Sequence, residues 1–175
     1  MSIGRNREFM RHILILLFIL LPLITEAQQS VEIHSDLFSK KRDLSVKIDG
    51  ERIVKTPAQI TFETDRSYNI ELEDSSNKTV SDFEFKILKF SDSVNHPAPS
   101  WYREPESLRN RYPGYNQVYV SHGKSRSVEI SFNKGLDKAK NKAGIDDESD
   151  SQLNLLNMEV HEIGNYYSVY LLWGE

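Results

Sequence analysis

Cysteine is absent from all 175 residues. No disulfide frame can hold the chain, and neither a thiolate nucleophile nor a cysteine-ligated zinc site is available. Also missing are a G-x-S-x-G elbow, an H-E-x-x-H pair and a glycine-rich phosphate loop, the local signatures of serine hydrolases, zincins and nucleotide-binding folds. Positive charge is not in excess, with 22 Lys and Arg against 26 Asp and Glu, a net of −4. That balance argues against a nucleic-acid-binding footprint, which needs a basic face to neutralise phosphates. The one long apolar run, Ile13 to Ile24, counts twelve residues, short of the ~20 that a membrane-spanning helix needs.

That short run has a place of its own. Arg5, Arg7 and Arg11 precede it, and Thr25-Glu26-Ala27 follows with small residues at the minus-three and minus-one positions, so residues 1–27 are expected to be a secretory signal peptide. The mature chain would be exported, periplasmic or extracellular at the cell surface, and not membrane-spanning once the signal is removed. No cysteine follows the run, which excludes a lipid-modified tether. Three Arg and two Glu leave with the signal, moving the net charge from −4 to about −5. Residues 28–175 would form a single domain held by its core alone.

The richest stretch runs from Val46 to Leu72. Asp49-Gly50 lies between β-branched runs, a hairpin signal because glycine tolerates the positive φ of a tight turn. Val46 would face Ile53 across it, or be shifted by one residue if the turn carries a glycine bulge. Thr56-Pro57 should end the hairpin and send the chain toward a second sheet, since proline lacks a ladder donor. Clean alternation follows: Ala58, Ile60 and Phe62 share one face, then Tyr68, Ile70 and Leu72, with charged or polar residues between. One wetted face means antiparallel sheet.

Ile48-Asp49-Gly50, Lys55-Thr56-Pro57, the alternating Ile60-Thr61-Phe62 and the Tyr68-centred strand together resemble a PEGA domain, a small bacterial extracytoplasmic β-sandwich. The resemblance covers about residues 31–90. It implies an envelope accessory module without catalytic residues. The chain departs from the family in having Asp65-Arg66-Ser67 where a glycine is usual, and in lacking a Gly-Ala pair before the first strand.

The expected fold is therefore all-β, an antiparallel sandwich of about eight or nine strands, Ig-like or PEGA-like. Val31–His34 and Leu44–Ile48 are its first strands. A long strand spans Thr79–Phe90, with Phe83, Phe85 and Ile87 on one face. The phase flips at Ile87-Leu88, which predicts a β-bulge or a strand passing between two sheets. Asn116–Ser121 and Arg126–Phe132 read as a hairpin across His122-Gly123-Lys124. Residues 133–151 read as a mobile charged loop. Leu153–Ile163 and Tyr166–Trp173 close the chain as an apolar hairpin about Gly164-Asn165, central in the sandwich.

From Ser91 to Tyr115 the periodicity stops, and four of the six prolines appear, Pro97, Pro99, Pro105 and Pro113. A connection this long exceeds the ordinary loop. Trp101, Tyr102, Tyr112 and Tyr115 are interleaved with Arg103, Arg109 and Arg111, residue types that dominate binding hot spots, and flat aromatic faces suit sugar rings or prolines. Trp101, Tyr102, Arg103, Arg109, Tyr112 and Tyr115 are the candidate binding residues. The plainer reading packs these aromatics onto the sandwich around a helical turn opened by Pro105.

Candidates for chemistry are few. Asp146-Asp147-Glu148-Ser149-Asp150 lacks the spacing and turn glycine of a calcium loop. His34, His96, His122 and His161 are scattered along the chain and read as surface residues, and His161 and Glu162, adjacent on a strand, point to opposite faces. No metal, cofactor or catalytic residue is expected. The function that remains is a non-catalytic binding or accessory module of the cell envelope, recognising a protein or glycan partner. The alternative is a structural subunit of an envelope assembly that pairs through a sheet edge.

Overall fold

A computed structural model of the chain describes residues 28–33, 44–91, 96–104, 107–145 and 153–175. Their strands are β1 (Gln28–Ile33), β2 (Ser45–Ile48), β3 (Arg52–Lys55), β4 (Ala58–Glu63), β5 (Ser67–Glu73), β6 (Thr79–Phe90), β7 (Val118–Ser125), β8 (Asn154–Ile163) and β9 (Tyr166–Gly174). The helices are α1 (Ser100–Arg103), α2 (Leu108–Arg111) and α3 (Val128–Ala143). Seven strands form one mixed sheet in the order β3-β2-β5-β6-β8-β9-β7, and β1 pairs with β4 apart from it.

The β2–β3 hairpin turns through Asp49 and Gly50, both at positive φ, and Val46 faces Val54 rather than Ile53. The turn therefore holds one residue more than the tightest reading of Asp-Gly, the shifted register of the two expected. Past Thr56-Pro57 the chain leaves the large sheet for the small one. Buried Thr56 fixes that exit: its N–H donates to Leu44 O at 2.9 Å, and its Oγ1 accepts from Leu44 N at 3.0 Å. The alternation in β4 then lays Ala58, Ile60 and Phe62 inward. The Phe62 ring meets Phe85 at 4.6 Å and Tyr68 at 4.9 Å, so β4 covers β5 and β6.

β6 has the expected bounds but not the expected break. Its register with β8 runs unshifted from Glu84↔Asn157 to Phe90↔Ile163. The change of phase at Leu88 marks a central strand covered on both faces, and the irregularities fall instead at Leu72/Glu73 and Leu155/Asn157. β6 and β8 are parallel, which corrects the purely antiparallel expectation. The connection between them is long enough to carry β7 and α3, and parallel neighbours require such a crossover.

The second correction lies between Arg126 and Ala143, where a strand and a charged loop were expected and a sixteen-residue helix stands. Val128, Phe132, Leu136 and Ala139 sit on its sheet-facing side, a spacing of three and four residues that a two-residue reading of Val128-Ile130-Phe132 conceals. Ser127 caps its start by accepting from Ile130 N, and Gly144 at φ 67 ends it, as helix caps do. His122-Gly123-Lys124 is not a turn; β7 runs through it to Ser125. Gly123 is needed because α3 lies directly above: a Cβ there would fall 1.8 Å from Ser131 O. Gly135 costs the helix interior about 1 kcal/mol relative to alanine, but a Cβ there would fall 2.6 Å from Leu171 Cδ1.

One apolar core results. β4 covers its first half and α3 its second, with Phe85, Ile87, Met158 and Val160 joining the two. Trp173 packs edge-on to Phe132 and donates Nε1–H to buried Ser121 Oγ at 3.0 Å. No helix among the described residues is long and apolar enough to cross a membrane.

Candidate functional site

The opposite face of β6-β8-β9-β7 carries the candidate site. Alternation puts Leu88 and Phe90, Asn157, Glu159 and His161, Ser168, Tyr170 and Leu172, and Val120, His122 and Lys124 on that side. Leu156, the extra residue of the β8 bulge, joins Leu172 and Leu108 in a second small core.

The segment from His96 to Gln117 lies over this face. Trp101, Tyr112 and Tyr115 pack around Leu108, which is 2% exposed. The Tyr115 ring lies so close over Gly174 that a Cβ there would fall 2.4 Å from it. Glu175 ties the end of the segment by exchanging backbone hydrogen bonds with Gln117 and accepting from Asn116 N. Of the sequence candidates, Trp101, Tyr112 and Tyr115 are thus brought together half-buried, as supports of the segment. Tyr102 meets Trp101 edge-on at 6.3 Å and reaches on to Tyr170 at 5.0 Å and His122 at 6.2 Å. Arg103, Arg109 and Arg111 are exposed, and among the described residues none of them makes an ion pair. Pro105 lies outside the described residues, as do His34 and the acidic run 146–150.

Beside Tyr102 lies a cluster that reading the histidines as scattered surface residues misses. The His161 ring is 1% exposed and packs on Phe90 and Tyr170, both at 4.9 Å, and on His96 at 5.8 Å. His122 stacks on the other side of Tyr170 at 4.6 Å. His161 Nε2 donates to Glu159 Oε1 at 2.5 Å, two residues away on the same face of β8, while buried His161 Nδ1 and His122 Nε2 have no hydrogen-bond partner among the described residues. Burial, then Lys138 and Lys124, push His122 down to about 4. Burial and then His161 and Lys124 lower His96, and burial raises Tyr170. The available signal was positional, since His122, Tyr170 and His161 occupy matching faces of neighbouring strands, but strand order is needed to see it.

The chemistry open to this cluster is limited by its enclosure. A Glu–His pair can move a proton only where a substrate reaches the free nitrogen, and here aromatic rings crowd the imidazole. Among the described residues no three His, Asp or Glu side chains converge to hold a metal ion. What the cluster does is seat the covering segment, with burial favouring the neutral forms of His122 and His96.

A second depression, of about 290 Å³, lies between the hairpin turns and is lined in part by Asp49, Glu51, Arg66 and Tyr68. Arg66 already satisfies it, bonding Asp49 at 3.1 Å and Glu63 at 3.4 Å over the Tyr68 ring. The chain matches no protein-family model, no curated protein and no solved structure.

Proposed function

We propose that the protein is an exported, non-catalytic binding module of the cell envelope, and that the segment from His96 to Gln117 is its recognition surface for a protein or glycan bearing acidic groups. The observation that carries this reading is the division of labour in the segment. Its aromatics and Leu108 hold it against the sheet, while Arg103, Arg109 and Arg111 stand exposed without carboxylate partners among the described residues. Preorganised guanidinium groups are suited to carboxylates and phosphates, because their donors form a rigid fork and little ordering remains to be done on binding. The reading keeps residues 31–90 as a PEGA-like part, in which β4 lies over β5 and β6.

The test is cross-linking and capture in the native envelope with the wild-type chain and with R103A/R109A/R111A. Loss of the captured partner by the triple variant, with its melting temperature unchanged, is the expected result; full retention would sink the reading.

One observation favours the structural-subunit alternative, the outer edge of β3, which has no neighbouring strand among the described residues. Backbone pairing there would produce self-association at micromolar concentration. A chain that sediments as a monomer at its highest soluble concentration rules it out.

A further inference from the structure

At the other edge of the sheet, three lysines of α3 reach over β7. Lys134 Nζ donates to Lys124 O at 3.4 Å, Lys138 Nζ to His122 O at 2.8 Å, and Lys142 Nζ to Val120 O at 2.8 Å. Helix and strand run in opposite directions, and their periods match: residues four apart on a helix advance ~6 Å, and carbonyls two apart on a strand repeat every ~6.7 Å. The ammonium groups are therefore held in a straight row about 13 Å long. Each spends one of its three protons on a carbonyl and points the rest outward, and all three side chains are exposed. Past the Lys124 end, on the opposite face of the sheet from α3, Tyr166 is 43% exposed with Lys124 Nζ 5.6 Å and the Arg126 guanidinium 5.7 Å from its ring centre, so positive charge continues around the edge.

We infer that this edge binds a linear acidic polysaccharide, whose carboxylates follow the lysine row. The inference is independent of the arginine surface of the covering segment. A single anionic chain fits the row because the charges are collinear, evenly spaced and fixed before binding. A planar anionic membrane fits poorly, since Asp137, next to Lys138 on the helix, is exposed and would be brought against it. A nucleic acid fits poorly on a chain of net charge −4, whose wider field repels a densely charged duplex.

The test is calorimetric titration of the full chain with polygalacturonate, with neutral dextran, a DNA duplex and phosphatidylglycerol vesicles as comparisons. Polygalacturonate should bind in a salt-sensitive manner and dextran should not. K134Q/K138Q/K142Q, which removes the three charges, should weaken binding by about tenfold or more, while K55Q/K78Q/K86Q elsewhere changes it by less than about threefold. Asp137→Lys should strengthen it, a gain that a folding defect cannot mimic. No binding of polygalacturonate, equal weakening by the two triple variants, or equal binding of duplex or vesicles would each overturn the inference.

Discussion

The two halves of the chain solve burial differently. In β4 and β5, before the long connection, buried and wetted residues alternate, and the outward side chains are Gln59, Thr61 and Asn69. After it, β8 and β9 are buried on both faces, with α3 on one side and the His96–Gln117 segment on the other. A half covered once writes its structure into a two-residue pattern, whereas a half covered twice erases that pattern and hands the specification to whatever covers it.

The sharpest way to break this comparison is to place charge on equivalent outer faces. Leu172→Lys, at 1% exposure under the segment, should cost about 4 kcal/mol or more, because an unpaired ammonium is buried. Thr61→Lys, outward on β4, should stay within about 0.5 kcal/mol. Urea denaturation of both variants decides it. Equal losses would mean that the halves are not covered differently.

Gly123→Ala should come next. The added carbon meets backbone, Ser131 O at 1.8 Å, so α3 must lift, at a cost of about 3 kcal/mol. A fall in melting temperature with loss of helical circular dichroism is expected; an unshifted melting temperature would refute the close contact.

Acid should act through the second half. His122 titrates at about 4 in the folded chain against an ordinary 6.5, and His96 is shifted the same way. The folded state thus binds fewer protons, so this part of the stability is complete above about 6.5 and is lost as the pH falls toward 4. Allowing for solvent screening at a partly exposed ring, the loss is on the order of 2 kcal/mol. His122→Gln should flatten the difference in urea midpoint between pH 7 and pH 4.5 relative to wild type; an unchanged slope would place the sensitivity elsewhere.

The smallest effect belongs to the first half. Asp49 sits at φ 52 and its Oδ1 accepts from Asn69 N at 2.8 Å. Asp49→Ala should cost about 1 kcal/mol, and Asp49→Gly less, since glycine keeps the turn while losing the bond. The two melting temperatures, compared directly, test that order.

These contrasts also mark what could be read in advance. Strands β2, β4, β5 and β6 were legible because each carries its own burial record, and β8 and β9 because long apolar runs flank Gly164-Asn165. Helix α3 was not, because Val128, Ile130 and Phe132 alternate as a strand would while Val128 and Phe132 are also four apart, and only Leu136 and Ala139 break the tie. Gly123 was misleading for a related reason: a glycine that admits a helix above a strand looks, in one dimension, like a glycine that turns a chain. Of the candidate site, the residue types were visible, but not which of them hold the segment down and which face outward.

By itself, then, the sequence determined the β-rich core, the hairpin at Asp49-Gly50 and the exit at Thr56-Pro57, since local backbone preferences and alternate burial act between near neighbours. Only tertiary structure decided the parallel β6–β8 pairing, the seating of His122 and His161 against Tyr170 and the alignment of three lysines along β7. Each of those depends on which distant segment lies beside which, and that is chosen by the packing of the whole core rather than by any stretch of chain.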